Sequence, residues 1–326
     1  MGSERMKGAF RLCAAMLLAL GAASALAQEP ARPFVGPRPD ALAAAPALPP
    51  RGGAPGINDV DRRRLAAAAD RLAPQRPGIV DAYVVVAALD SDPVFAREAR
   101  EAARVLAQRY DATGRTLLLA GLDGRSIDPL PRGSPETLGT AIARVAAVMD
   151  AGEDALILYV TAHGTPGGIA YRDGGELLGT VPPGWLRDVL QSGRVRNRIV
   201  MISACFAGVF VPGLSSPEAV VITAAASDRT SFGCASDNDW TFFGDALVNH
   251  ALRKNQPLAA AFAGAREMIG MWERSGGLIP SNPQIAVGAQ AASWLRPLEL
   301  RMPKQAGTPV GRPAVDAIDR AVAANH

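Results

Sequence analysis

Two residues of this chain stand where a thiol and an imidazole can carry out acyl transfer together. Cys205 directly follows the apolar run "RIVMISA" (198–204), and His163, with Gly164 behind it, directly follows "ALILYVTA" (155–162). In such chemistry a thiolate attacks a carbonyl carbon and the imidazole moves the proton from thiol to leaving group. The residues around the thiol, Ala204, Ala207 and Gly208, are small. They leave room for a substrate backbone, although small residues also suit tight strand-to-helix packing. A cysteine at a strand end that leads into a helix start is expected to have a lowered pKa, from free backbone N–H groups and the helix dipole. His250 falls in a candidate helix and His326 in the tail, so His163 is the histidine placed to serve the thiol.

For both residues to act, the chain must bring two strand ends to one rim. "AYVVVAAL" (82–89) is a continuous β-branched run of the kind buried on both faces, and Phe95, Ala99, Ala102, Leu106 and Tyr110 then recur at helical steps. "RTLLLAGL" (115–122) reads as the next strand. Ser134, Pro135 and Glu136 then supply an N-cap, a first-turn proline and an early acid for a helix burying Leu138, Ile142, Val145 and Met149. "ALILYVTA", "RIVMISA" and "AVVITAA" (219–225) are three more buried runs, with helix candidates at 183–192 and 239–273. Repeated βα units imply an α/β fold: a mainly parallel central sheet covered by helices on both faces. In such sheets functional groups collect just beyond the carboxyl ends of the strands, where His163 and Cys205 fall.

The chain has 326 residues, 48% of them hydrophobic and 20% charged, enough to bury the core of a substantial domain. Residues 1–27 carry Arg5, Lys7 and Arg11, then "LCAAMLLALGAASALA" ending in Ala25-Leu26-Ala27, the layout of a cleavable secretory signal cut after Ala27. A periplasmic or secreted destination follows as the expectation, with no stable membrane insertion after cleavage. Loss of three positive charges and one negative takes the formal net charge from +3 to +1. No dense Lys/Arg stripe with interleaved aromatics remains, so no nucleic-acid partner is expected, and Arg62-Arg63-Arg64 reads as a solvated helix face. Residues 28–59 are a Pro/Ala-rich disordered linker or pro-region, 60–297 the folded domain, and 298–326 a flexible tail. The histidines and cysteines lack metal-ligand spacing, and no cofactor is expected. The sequence sets no oligomeric state.

The segments "LYVTAHG", "ISACFAG" and "ITAAASDRTSFGC", in this order and spacing, resemble the legumain-type C13 cysteine peptidases, above all their bacterial members. These belong with the caspases to the caspase-hemoglobinase clan, which implies a three-layer αβα caspase-like fold. The likeness covers about residues 75–290, from "RPGIVDAYVVV" to "SNPQIAVG". It implies His163 as the catalytic histidine, Cys205 as the nucleophile, and the N–H groups of Gly164 and Cys205 as the oxyanion hole. It also implies a substrate-binding pocket from Arg97 in "FAREAREA", Ser231 and Asp245 in "FFGDA", with Ser203 where eukaryotic members carry a pocket carboxylate. The other reading of Arg97 is a helix-surface cation paired with Glu101, and of Asp245 an ordinary helix carboxylate. Two departures stand out. Eukaryotic members have Glu-Ala-Cys where this chain has Ser203-Ala204-Cys205, and an Asn where it has Phe95. The histidine is therefore left without an identified orienting partner, and asparaginyl or acidic P1 preference is in question.

Two cysteines remain after the signal, Cys205 and Cys234. A bridge between them would silence the nucleophile, and Cys234 is read as a separate free thiol. The expected function is an exported cysteine endopeptidase acting on protein or peptide substrates through a thioester. The alternatives are a transpeptidase of the same fold and a catalytically inactive module that binds envelope proteins.

Overall fold

The computed structural model describes residues 58–124 and 130–318. The expected signal at 1–27 and all but the end of the 28–59 stretch lie outside the described residues. After α1 (Asp59–Ala69) come β1 (Ala82–Ala88), α2 (Pro93–Arg109), β2 (Thr116–Leu119), α3 (Pro135–Ala146) and β3 (Ala155–Thr161). An antiparallel group follows, β4 (Gly164–Thr165), β5 (Gly168–Asp173) and β6 (Glu176–Val181). Then come α4 (Pro183–Ser192), β7 (Arg198–Ser203), the short α5 (Phe210–Leu214) and β8 (Ala219–Thr223). A π-helical stretch at Gly244–Ala251, α6 (Leu258–Ser275), β9 (Gln284–Val287) and α7 (Ala292–Leu300) complete the order.

The central sheet runs β2-β1-β3-β7-β8-β9, parallel throughout except for β9 at one edge. Every residue of β1 and β3 is buried, as apolar runs without alternation require. Their side chains divide by parity. Val84, Val86 and Tyr159 face the layer of α2, α6 and α7, whereas Val85, Leu156 and Leu158 face that of α1, α3 and α4. The architecture is thus three-layer αβα with a mainly parallel sheet. Local chemistry sets the element ends. Ser134 and Thr137 close a reciprocal capping box at the start of α3, with Pro135 in its first turn. On α1, Arg62 is an exposed partner of Asp59, as the triple-arginine run anticipates.

Two expectations are corrected. The single helix expected over 239–273 is instead the π-helical stretch and α6, with Pro257, whose missing N–H cannot continue a helix, at the N-cap of α6. Over its described part, the 298–326 segment is not a tether. α7 extends to Leu300, and residues beyond it lie on the domain: Trp240 Nε1 and Asn249 Nδ2 donate to Val310 O, and Ala314 N donates to Asp245 Oδ2 at 2.7 Å.

Candidate active site

β3 and β7 are neighbours in register, with Thr161 opposite Ser203. Residues two positions further along each strand, His163 and Cys205, therefore leave the sheet side by side. The backbones cross closely at this point. A Cβ on Gly164 would lie 1.9 Å from the carbonyl oxygen of Cys205, so only glycine fits behind the histidine. Phe206, after the thiol, takes a left-handed φ of 56°, uncommon for a non-glycine residue. Its N–H is held by Arg229 O at 2.8 Å. This sharp turn ends the strand at the cysteine.

His163, Cys205, Ser203, Ala204, Ser231, Cys234, Thr241 and the rings of Phe95 and Phe232 line one cleft at this rim. Ser231 N donates to Cys205 Sγ at 3.2 Å, and the N–H groups of Gly164 and Cys205 also face the sulfur. The sequence led us to expect a depressed thiol pKa. Instead, burial pushes the Cys205 thiol above its ordinary value, outweighing these three N–H groups. The element that follows is a single 3₁₀ turn and the five-residue α5, too short to supply a large dipole. Cys234 is a second free thiol on the same cleft, and burial pushes it up as well.

The histidine's neighbours come from a stretch the sequence reading passed over, "LDSDP" at the end of β1. His163 Nε2 lies 3.4 Å from Asp92 Oδ2 and 4.0 Å from Asp90 Oδ2. Arg172 on β5 reaches the same two oxygens, at 3.2 Å and 3.5 Å. The hydrogen bond to His163 holds the Asp92 carboxyl below the usual carboxylate range, with Arg172 adding to it against partial burial. Asp90 is shifted the other way, upward, because it is almost fully buried. By position Asp92 is the N-cap of α2, yet its side chain makes no capping hydrogen bond. Its carboxylate faces the histidine instead. Phe95, where the resemblance led us to look for an Asn, meets the His163 ring edge to face at 5.1 Å between centroids.

Asp90, Asp92 and His163 are also the group among the described residues whose potential ligand atoms lie within 4.8 Å of one another. The Arg172 guanidinium already supplies positive charge to both carboxylates.

The structure brings Ser203 and Ser231 to the cleft but not Arg97 or Asp245. Arg97 donates to the carbonyls of Asp123, Ser236 and Asn238 and sits 3.7 Å from Asp239, and it does not line the cleft. Nor does it pair with Glu101, which takes Arg104 and Arg253. Asp245 is fully buried, accepting from Asn249 Nδ2 and Ala314 N at 2.7 Å each. It anchors the C-terminal segment through Ala314 N.

Residues 134–290, a stretch containing both His163 and Cys205, match the Peptidase C13 family. This stretch belongs to the C13 peptidases. The C13 match begins after Asp90, Asp92 and Arg97, so the histidine's carboxylates lie outside it. None of the curated protein sequences matches the chain. Among solved structures it is similar to the crystal structure of caspase-1 from Spodoptera frugiperda, at 13% identity and a TM-score of 0.44, over 64% of this chain and 85% of that one. No helix among the described residues is long and apolar enough to cross a membrane.

Proposed function

We propose that this C13 chain is a cysteine endopeptidase in which Cys205 is the nucleophile and His163 the proton carrier. The observation that carries the reading is the strand register, Thr161 opposite Ser203, which delivers a thiol and an imidazole to one cleft over a glycine that tolerates no side chain. Because burial raises the thiol pKa, the resting sulfur is protonated at neutral pH. His163 then takes the proton as the sulfur attacks the peptide carbonyl, and general-base activation replaces a preformed ion pair. The carbonyl oxygen gathers negative charge, and the N–H groups of Gly164 and Cys205 stabilise it. The imidazolium next protonates the leaving amine, and the C–N bond breaks to leave a thioester. Water, deprotonated by the same imidazole, releases the acid and restores the thiol. An amine arriving in place of water would give transpeptidation by the same steps. Asp92, with Arg172 behind it, holds the ring through Nε2 and offsets the positive charge that develops there.

The test is a positional-scanning peptide library, run with reductant on the protein and on Cys205→Ala of unchanged circular dichroism. Cleavage by the protein alone is the expected result. Equal cleavage by both ends the assignment, and no cleavage by either favours the binding-module reading.

A further inference from the structure

The cleft that holds the thiol has a composition that restricts what can enter it. Apart from His163, no ionisable cation or carboxylate lines it. Two hydroxyls, Ser203 Oγ and Thr241 Oγ1, lie 3.1 Å apart within it. Thr241 is in turn fixed from below, where its N and Oγ1 donate to Glu98 Oε2 at 2.9 and 2.8 Å while Tyr159 OH donates to Glu98 Oε1 at 2.7 Å. Gly244 closes against the same carboxylate, since a Cβ there would stand 2.1 Å from Oε2. Thr241 Oγ1 also accepts from Gly244 N at 3.0 Å, so its hydrogen-bonding capacity is already committed. Phe95 and Phe232 wall the sides, and the second ring stacks at a tilt on Phe242 with 5.9 Å between centroids. The enclosed space between these side chains is small, about 10 Å³.

We infer that this cleft accepts a small uncharged P1 residue, such as alanine, serine or glycine, and rejects aspartate and asparagine. The inference rests on the peptidase reading above and adds its substrate class. A P1 carboxylate would lose its water, find no cation to pair with, and face the buried Glu98 carboxylate behind Thr241. The guanidinium that could have compensated, Arg97, is turned onto backbone carbonyls and Asp239. Arg172 is committed to Asp90 and Asp92. An asparagine amide brings two N–H donors and an oxygen acceptor, more than the Ser203 and Ser231 hydroxyls can match with Thr241 already committed, and its bulk meets two fixed rings. A methyl or hydroxymethyl group fits between the rings and leaves nothing unpaired.

The test uses the full chain and a series of peptidyl acyloxymethyl ketones that differ only at P1: Ala, Ser, Asn, Asp, Lys and Phe. Thioether formation at Cys205 is followed by intact mass, with iodoacetamide alkylation in parallel to report the thiol itself. The expected result is fastest labelling by the Ala and Ser probes, with Asn at least about tenfold and Asp about 100-fold slower, in line with the cost of unmatched polar groups in a closed site. Preferential labelling by Asp or Asn probes overturns the inference while leaving the peptidase reading intact. Alkylation of Cys205 by iodoacetamide with no labelling by any peptidyl probe overturns both. As a second check, Phe232→Ala is expected to admit larger uncharged P1 residues while still excluding Asp, and Asp acceptance by that variant counts against the electrostatic argument.

Discussion

Replacing Asp92 isolates the part of the site that the C13 match does not cover. Its Oδ2 is 3.4 Å from His163 Nε2, and the same oxygen is 3.2 Å from Arg172. A hydrogen bond to a charged partner contributes about 1.5–3 kcal/mol, and each 1.36 kcal/mol corresponds to about tenfold in rate. The Asp92 side chain is 28% exposed, and the contact is long, so solvent screening places the effect near the lower end, about 10- to 30-fold in kcat. KM should change little, because Asp92 does not line the cleft. Arg172 adds a second expectation. In Asp92→Asn its guanidinium faces the imidazolium with only Asp90 left to offset it, so Asp92→Asn/Arg172→Gln should recover part of the lost rate. A merely structural role for Asp92 would make the double variant worse than the single one. The assay is steady-state hydrolysis of one peptide by the protein and both variants, with circular dichroism to show that all three are folded. If Asp92→Asn and Asp92→Ala both keep kcat within about twofold, the carboxylate does not position the histidine.

Three further outcomes are expected. Burial raises the Cys205 thiol, so iodoacetamide alkylation should still be accelerating above pH 9, and a rate plateau reached below pH 7 would point to a preformed ion pair instead. Asp90 is also raised by burial: ionising it costs more in the folded chain than in the unfolded one, so stability falls as pH climbs from about 3.8 to its folded value and then levels. Asp90→Asn, which keeps the acceptor for Asp92 N, should therefore melt higher than the parent at pH 7, with the gap closing below pH 3.8, and calorimetry at both pH values checks this. Asp245→Ala leaves Ala314 N and Asn249 Nδ2 without their acceptor and should cost about 1–3 kcal/mol in urea unfolding. Its P1 profile should match the parent's, and a changed profile would return Asp245 to the cleft.

What could be read in the sequence divides along a physical line. Buried parallel strands announce themselves through continuous apolar runs, so β1, β3, β7 and β8 and the rim they share were legible, and with them the placement of His163 and Cys205. Their register was not, because it is set by inter-strand pairing. The antiparallel group β4–β6 was missed since β5 and β6 are partly exposed, each of the three strands contains a glycine and none is a continuous apolar run, a pattern close to that of a loop. That omission had a cost at the site. Arg172 comes from β5, and only the pairing of β5 against the end of β1 reveals that it meets Asp90 and Asp92. Arg97 and Asp245 were pocket candidates only through the family resemblance, and a side chain's direction depends on competing partners: here Arg97 meets the Asn238 and Ser236 carbonyls and Asp245 meets Ala314 N.

The charges of the site are arranged asymmetrically, and the asymmetry fits general-base catalysis better than an ion pair. On the histidine side two carboxylates face Nε2, at 3.4 and 4.0 Å, and the Arg172 guanidinium pairs with both of them. On the cysteine side the cleft is apolar or hydroxylic, and the donors to the sulfur are backbone N–H groups. Such a wall gives a resting thiolate little support. It gives more to charge that moves from sulfur to carbonyl oxygen within reach of the Gly164 and Cys205 amides, because fixed dipoles need no reorganisation when the charge arrives. In the proposed mechanism the two strand ends take separate tasks, one carrying the proton and the next the oxyanion, and Gly164, where a Cβ would stand 1.9 Å from Cys205 O, lets the two backbones come close.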